Sequence, residues 1–272
     1  MSESSRVNDD KYNLRSVGRA LDVLQLLGDS QVKGMGVSQI AEAIGVSRST
    51  AFTLLQTLVA RRFVADIRSG NSRSYSLGLS LVYLGDQALQ ELGVSKVAPP
   101  ILHRMTEEMK LTSRLAILDD GFAVAIGRVD APGPFRIAAS LGRREMPHCS
   151  SVGKALLADM PPSEVIALME RLGMPKRTNY TLATPDALLR DLTQTRKRGY
   201  SFDNEEDNLG VLCVGAAVYD RTGEVVAAIS VSCMKLDRTE SDMHAMGATI
   251  RAYADEISSL IGGPNHSTRT RY

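Results

Sequence analysis

Val37-Ser38-Gln39-Ile40-Ala41-Glu42-Ala43-Ile44-Gly45-Val46-Ser47-Arg48-Ser49-Thr50-Ala51-Phe52-Thr53-Leu54-Leu55 carries two short helical stripes separated by a glycine. Ile40, Ala41 and Ile44 mark the first helix, and Ala41 is small where a second helix has to cross closely. Gly45 can adopt the positive φ of a tight interhelical turn, Val46 plugs that turn, and Ser47 supplies an N-cap for the next helix. Ala51, Leu54, Leu55 and Leu58 bury one side of that helix, leaving Arg48, Ser49, Phe52, Thr53 and Gln56 outward. Guanidinium, hydroxyl and amide groups on such a face reach phosphate oxygens and base edges in a major groove. With Ser47 and Thr50 of the first turn, they form the candidate DNA-binding set.

Upstream, Val17, Ala20, Leu21, Leu24 and Leu27 form one stripe of a further helix. Downstream, Phe63–Ile67 and Arg73–Leu77 flank Ser69-Gly70-Asn71-Ser72 and read as a hairpin, the wing of a winged helix, with Arg68 and Arg73 beside its tip. Between Lys33 and Tyr75, six cations (Lys33, Arg48, Arg61, Arg62, Arg68, Arg73) face two anions (Glu42, Asp66), a net +4 in a chain whose total is +1. Basic charge gathered there is what phosphate contact needs. A helical hairpin used for protein contact, or a winged helix that only dimerises, is the competing reading. Leu79, Val82, Tyr83 and Gln87 continue on a connecting helix.

The texture changes near Pro99-Pro100 to mixed strands and helices. Leu115–Leu118 and Ala123–Ile126 form a hairpin around Asp119-Asp120-Gly121, and Phe135–Leu141 reads as another strand. Helices are predicted over Val152–Ala158, Ser163–Leu172, Pro185 to Gly199 behind Thr184, and Thr239–Ile261. In the strands Cys213–Tyr219 and Val225–Cys233, alternation places Val214, Ala216, Val218, Ala227, Ile229 and Val231 on an apolar face. Cys213, Gly215, Ala217, Ala228, Ser230 and Ser232 fall on the other, where small side chains leave room and hydroxyls can hold a polar ligand. Ser150 and Ser151, ahead of a helix, are a second donor set. Leu141 and Met146 could supply an apolar wall, and Leu209-Gly210-Val211 could close over a ligand. For any single serine a plain cap or a solvated strand face is the competing reading.

The expected organisation is a disordered stretch 1–13, a winged helix-turn-helix 14–76, a linker helix 77–95, a second domain 96–261 and a loose tail 262–272. Length supports two cores, since 272 residues exceed what one small domain needs. No apolar run approaches the roughly 18 residues of a spanning helix, and the opening Met1-Ser2-Glu3-Ser4-Ser5 lacks a secretory core. Three scattered cysteines (Cys149, Cys213, Cys233) do not make a disulfide framework and suit a reducing cytoplasm. With the four histidines they offer no paired metal spacing, so neither metal nor cofactor is expected. His148 and Cys149 are adjacent on an extended segment and point apart, which disfavours a nucleophile pair. Asp203, Glu205, Glu206 and Asp207 read as a solvated loop with Asp203 or Glu206 turned inward, since a four-residue run does not set two carboxylates across a substrate. No catalytic residue is assigned.

Ser16-Val17-Gly18-Arg19-Ala20-Leu21-Asp22-Val23-Leu24, the helix pair and Tyr75-Ser76-Leu77-Gly78 resemble the opening of IclR-family bacterial transcriptional regulators. Ser151-Val152-Gly153-Lys154-Ala155 and the spaced series Gly199, Asp203, Glu206, Cys213, Val214, Gly215, Val218, Tyr219, Asp220 resemble that family's later motifs in order, so the likeness spans about residues 15–260. Thr53 departs from the pattern, standing where the family often has Arg. The resemblance implies an α+β chain whose second domain is a GAF-like α/β effector domain with a central antiparallel sheet. It implies that Ser150, Ser151, Asp203, Cys213, Ser230 and Ser232 correspond to the effector pocket. It further implies a homodimer or dimer of dimers on a palindromic double-stranded operator, answering a small organic or aromatic acid. Repression is the expected sign, with activation of a catabolic operon as the alternative. A ligand-binding or scaffolding protein whose winged helix no longer contacts DNA is the alternative from another class.

Overall fold

The computed structural model describes residues 14–30, 34–69, 72–90, 92–132, 140–236 and 238–266. The stretch 1–13 lies outside the described residues, as does most of the strand expected over Phe135–Leu141; Leu141 itself sits in a turn. The chain divides into two compact units, Met1–Glu91 and Leu92–Tyr272.

In the first unit, helices α1 (Arg15–Asp29), α2 (Val37–Ala43) and α3 (Arg48–Ala60) precede the hairpin of β1 (Val64–Ser69) and β2 (Ser72–Leu77). Val23, Leu27, Ile40, Leu55, Leu58, Val64 and Tyr75 make the core, and each large apolar side chain withdrawn from water there contributes about 1.5–3 kcal/mol. The α2–α3 turn rests on Gly45, at φ 65°. Ser47 caps α3, its hydroxyl accepting from the Thr50 amide at 3.1 Å. Met35 joins the wing by a single antiparallel bridge, through reciprocal 2.9 Å backbone bonds with Tyr75. Helix α4 (Ser80–Gln90) follows.

In the second unit, helix α5 (Gly93–Met109) contains Pro99 and Pro100, so the proline pair lies within a helix and not at the boundary. The strands are β3 (Thr112–Asp119), β4 (Phe122–Val129), β5 (Arg144–Glu145), β6 (Ser201–Asn204), β7 (Val211–Tyr219) and β8 (Val225–Met234). They form one antiparallel sheet in the order β5-β4-β3-β8-β7-β6. Its apolar face, with Leu212, Val214, Val218, Ile229 and Val231, packs with Ile101 and Met105 of α5 and with Ile250 and Ile257 of α9 (Glu240–Leu260). The opposite face holds Asp203, Cys213, Ser230, Ser232 and Arg114, placed there by the strand registers. Helix α6 (Ser151–Leu157) covers part of that face, with α7 (Pro162–Leu172) and α8 (Pro185–Arg198) beyond it. This is the α+β architecture expected, with its central antiparallel sheet. The tail is not free at its start: Gly263 donates to the Ser258 carbonyl at 2.7 Å and the His266 amide to Asp255 at 2.7 Å.

Two glycines let α6 press onto its surroundings. A Cβ on Gly153 would stand 2.4 Å from Pro147 Cα, and one on Gly215 would meet the Ser151 backbone at 3.0 Å. Because the first obstacle is backbone, Gly153→Ala should destabilise this unit by about 1–3 kcal/mol in urea unfolding. Unchanged stability would contradict the seating of α6.

Candidate functional site

The first unit presents the exposed N-terminal half of α3. Ser47 Oγ lies 2.9 Å from Ser49 Oγ and 2.8 Å from Thr50 Oγ1, so three hydroxyls are tied together at the helix start. Arg48 and Ser49 are exposed, as is Phe52 with 41% of its surface in solvent; with Val37, Arg73 and Tyr75 they line a shallow groove. Thr53 is exposed and its hydroxyl donates to the Ser49 carbonyl at 3.0 Å. Gln56, expected on the outer face, is half-buried, and its amide nitrogen is enclosed by the fold.

The wing arginines differ from one another. Arg68 is largely exposed, 3.7 Å from Asp66. Arg73 donates to both Asp66 oxygens, from Nε at 3.0 and 3.1 Å and from Nη2 at 2.7 Å, and lies over the rings of Phe52 and Tyr75. That pairing holds the Asp66 carboxyl below its ordinary range. The charge of Arg73, expected to serve phosphate, is therefore matched within the wing. Its position fixes the wing against Phe52 of the recognition helix.

The second unit holds a cavity of about 300 Å³ on the small-residue face of the sheet. Met146, Ser150, Asp203, Cys213 and Ser232 line it. Leu141, expected as an apolar wall, is 57% exposed and does not. Ser151 and Ser230 are also outside the lining: both are fully buried, and neither hydroxyl has a hydrogen-bond partner. Of Leu209, Gly210 and Val211, expected to close over a ligand, Val211 lines the cavity from the start of β7, and Leu209 is exposed. The wall is polar instead of apolar, because Arg114, Arg177, Glu145, Asp207 and Asn208 complete it. Sequence reading missed Arg114, although its alternation with Thr112 and Ala116 on β3 puts it on the hydroxyl face.

The acidic run is no solvated loop. Glu206 is buried and accepts from the fully buried Lys154 ammonium at 2.6 and 2.7 Å, and Asp207 accepts from Arg177 Nε at 3.0 Å. Glu205 pairs with Lys235. Asp203 turns inward on β6, its Oδ1 accepting from the amides of Glu206 at 2.8 Å and Asp207 at 3.3 Å. Burial, and then the neighbouring Glu206 charge, push its carboxyl up to about 7. Burial pushes the Cys213 thiol up to about 12 and raises Cys149 well above its ordinary value, so both are thiols at neutral pH. His148 faces the Pro175 carbonyl at 3.3 Å, whereas the Cys149 sulfur faces Met146 O and Asp207. Neither cysteine is activated as a nucleophile. Among the described residues no cluster of three His, Cys, Asp or Glu is placed to hold a metal, and no helix is long and apolar enough to cross a membrane.

The model of the IclR helix-turn-helix domain matches residues 16–66, and that of the bacterial transcriptional regulator IclR C-terminal domain matches residues 86–259. The chain belongs to the IclR family. It is 33% identical to the transcriptional repressor IclR of Escherichia coli over 252 residues, covering 92% of this chain and 91% of that one. It is 32% identical to the regulator KdgR of the same organism, covering 92% and 94%. The solved IclR of Thermotoga maritima superposes with a TM-score of 0.77 at 27% identity, over 92% of this chain and all of that one. These matches make the chain a DNA-binding transcriptional regulator and not an enzyme.

The raised Asp203 carboxyl has a measurable consequence. Its folded value, about 7, exceeds the ordinary 3.8, so the folded chain keeps a proton that the unfolded chain releases, and stability falls as pH rises between the two. Asp203→Asn keeps the Oδ1 acceptor without titrating. Its stability relative to wild type should rise from pH about 4 to about 7 and then level off. A difference independent of pH in chemical unfolding would contradict the buried, protonated carboxyl.

Proposed function

We propose that this IclR-family chain is a repressor that binds a palindromic double-stranded operator and is modulated by a small organic or aromatic acid. The observation that carries the reading is a polar, guanidinium-lined cavity in the unit that does not bear the helix-turn-helix. Ser47, Arg48, Ser49, Thr50, Phe52, Thr53 and Arg68 supply the DNA-reading set, with Arg73 in a positioning role. Met146, Ser150, Asp203, Cys213 and Ser232 supply the effector set. Ser151, at the start of α6, and Ser230, on β8, are buried hydroxyls that a ligand or water seated deeper could engage. Repression is supported by similarity to the E. coli repressor IclR and to the acetate operon repressor of Salmonella typhimurium. Activation is the alternative sign.

A single winged helix reads too few base pairs for a unique address, so pairing of two copies on a symmetric site is part of the proposal. Leu14, Val17 and Leu21 of the α1 region and Leu79, Val82 and Tyr83 at α4 leave more than half of their surfaces exposed. A second copy covering them gives the homodimer, and a further pairing gives a dimer of dimers. The cytoplasm is the proposed location. Effector binding favours one arrangement of the second unit, and α4 relays it as a change in recognition-helix spacing, at a coupling of about 1–3 kcal/mol.

Arg48→Ala should weaken binding to a duplex selected by the protein from a random pool and lower the salt slope by about two, roughly one for each copy in the pair. An unchanged slope would remove Arg48 from the interface and favour the scaffolding alternative. Ser232→Leu should fill the cavity and abolish the response to acids while operator affinity stays at the wild-type level. A normal response from that variant places the effector elsewhere.

A further inference from the structure

Arg114 is the least accessible of the cavity's arginines, with 8% of its side chain exposed. Nη1 donates to Glu145 Oε1 at 2.8 Å, and Nε is buried with no hydrogen-bond partner. A guanidinium carries five donors in a planar fork shaped for a carboxylate, and here the anion uses one nitrogen. Across the strand register lies Ser230, whose hydroxyl is likewise buried and unpartnered. Two buried donors without protein partners, side by side on one sheet face, match the acceptors of a carboxylate.

The anion in place sits on a short element. Glu145 belongs to β5, two residues long at the sheet edge, where it pairs with Ala123 while Arg144 pairs with Val124 and lies over the Phe122 ring. The other paired arginines of the wall are more exposed and hold carboxylates of their own: Arg144 with Asp119 at 2.9 Å, and Arg177 with Asp207 at 3.0 Å. Asp207 also lines the cavity, and its charge opposes a second negative group there.

We propose that Arg114 is the anchor for the effector's carboxylate and that Glu145 is its intramolecular stand-in. The incoming acid takes the guanidinium, displaces Glu145 and releases β5 from the sheet edge. The ligand class is a monocarboxylate whose remainder is uncharged. This inference rests on the effector reading above, and it adds to it the residue that selects for acids and the first movement on binding.

The test uses the full chain with acetate and lactate as probes, acetamide and lactamide as neutral controls, and sodium chloride as the ionic-strength control. Both carboxylates should raise the thermal midpoint and the amides should not. Removing the competitor in Glu145→Gln should tighten their binding about tenfold, a gain that misfolding cannot imitate. Arg114→Gln should weaken it at least about 30-fold. In hydrogen exchange, the β5 amides of the wild type should exchange faster when the acid is bound. The proposal is overturned if about 100 mM acetate or lactate shifts neither wild type nor Glu145→Gln, a concentration far above any selective site's need. It is also overturned if Glu145→Gln binds them no tighter, or if Arg114→Gln binds them as wild type does. A DNA-binding arm separates it from its parent reading. Arg114-dependent acid binding that leaves operator affinity unchanged sustains the anchor and overturns the effector role. An operator response that survives Arg114→Gln sustains the effector role and overturns the anchor.

Discussion

The Lys154 ammonium has no exposure to solvent and lies 2.6 and 2.7 Å from the Glu206 oxygens and 3.1 Å from Asp191. Breaking such a buried pair from one side costs about 3–5 kcal/mol, so α6, the acidic loop and α8 are held as one assembly. The rest of the second unit's chemistry follows from that restraint. With Glu206 fixed, its amide and that of Asp207 close on Asp203, and Asp203 faces the cavity from the end of β6. The same loop carries Asp207 to Arg177 on the cavity wall. One cation thereby converts an acidic run into a polar lining.

The first unit solves a different problem with similar means. A DNA-reading surface has to keep its shape before DNA arrives, and its charges have to stay available. Gly45 and Ser47 set the angle and start of α3, while Met35 ties the chain to the wing by one antiparallel bridge. Arg73 gives up its charge to Asp66 and braces the wing against Phe52, while Arg48 and Arg68 stay exposed. Rigid presentation is gained and one cation is lost from the surface.

Much of this was legible in the residues because it is local. The helix-turn-helix follows from periodicity, a glycine and a cap, and the two faces of β7 and β8 follow from the pleat. What escaped depends on partners distant in the chain. Glu205 and Asp207 look solvated until Lys235 and Arg177, each 30 residues away, are placed against them. Arg73 reads as a phosphate ligand until the hairpin register sets Asp66 diagonally opposite. β5 is two residues long and β6 has an acidic end, so neither carries the usual strand signal. Pro99 and Pro100 suggested a break, yet both lie inside α5, whose packed face of Ala98, Ile101, Leu102 and Met105 outweighs the local cost.

The account joins these units through one claim: an acid in the second unit's cavity changes how tightly the first unit holds its operator. Coupling of that kind is reciprocal by thermodynamic necessity. The direct measurement is calorimetric titration of the carboxylate that stabilises the chain most, performed on the free protein and again on the protein saturated with operator duplex. The account predicts that its dissociation constant differs between the two by the factor, about 5–150-fold, by which that acid shifts operator affinity. Equal dissociation constants with and without DNA would contradict it.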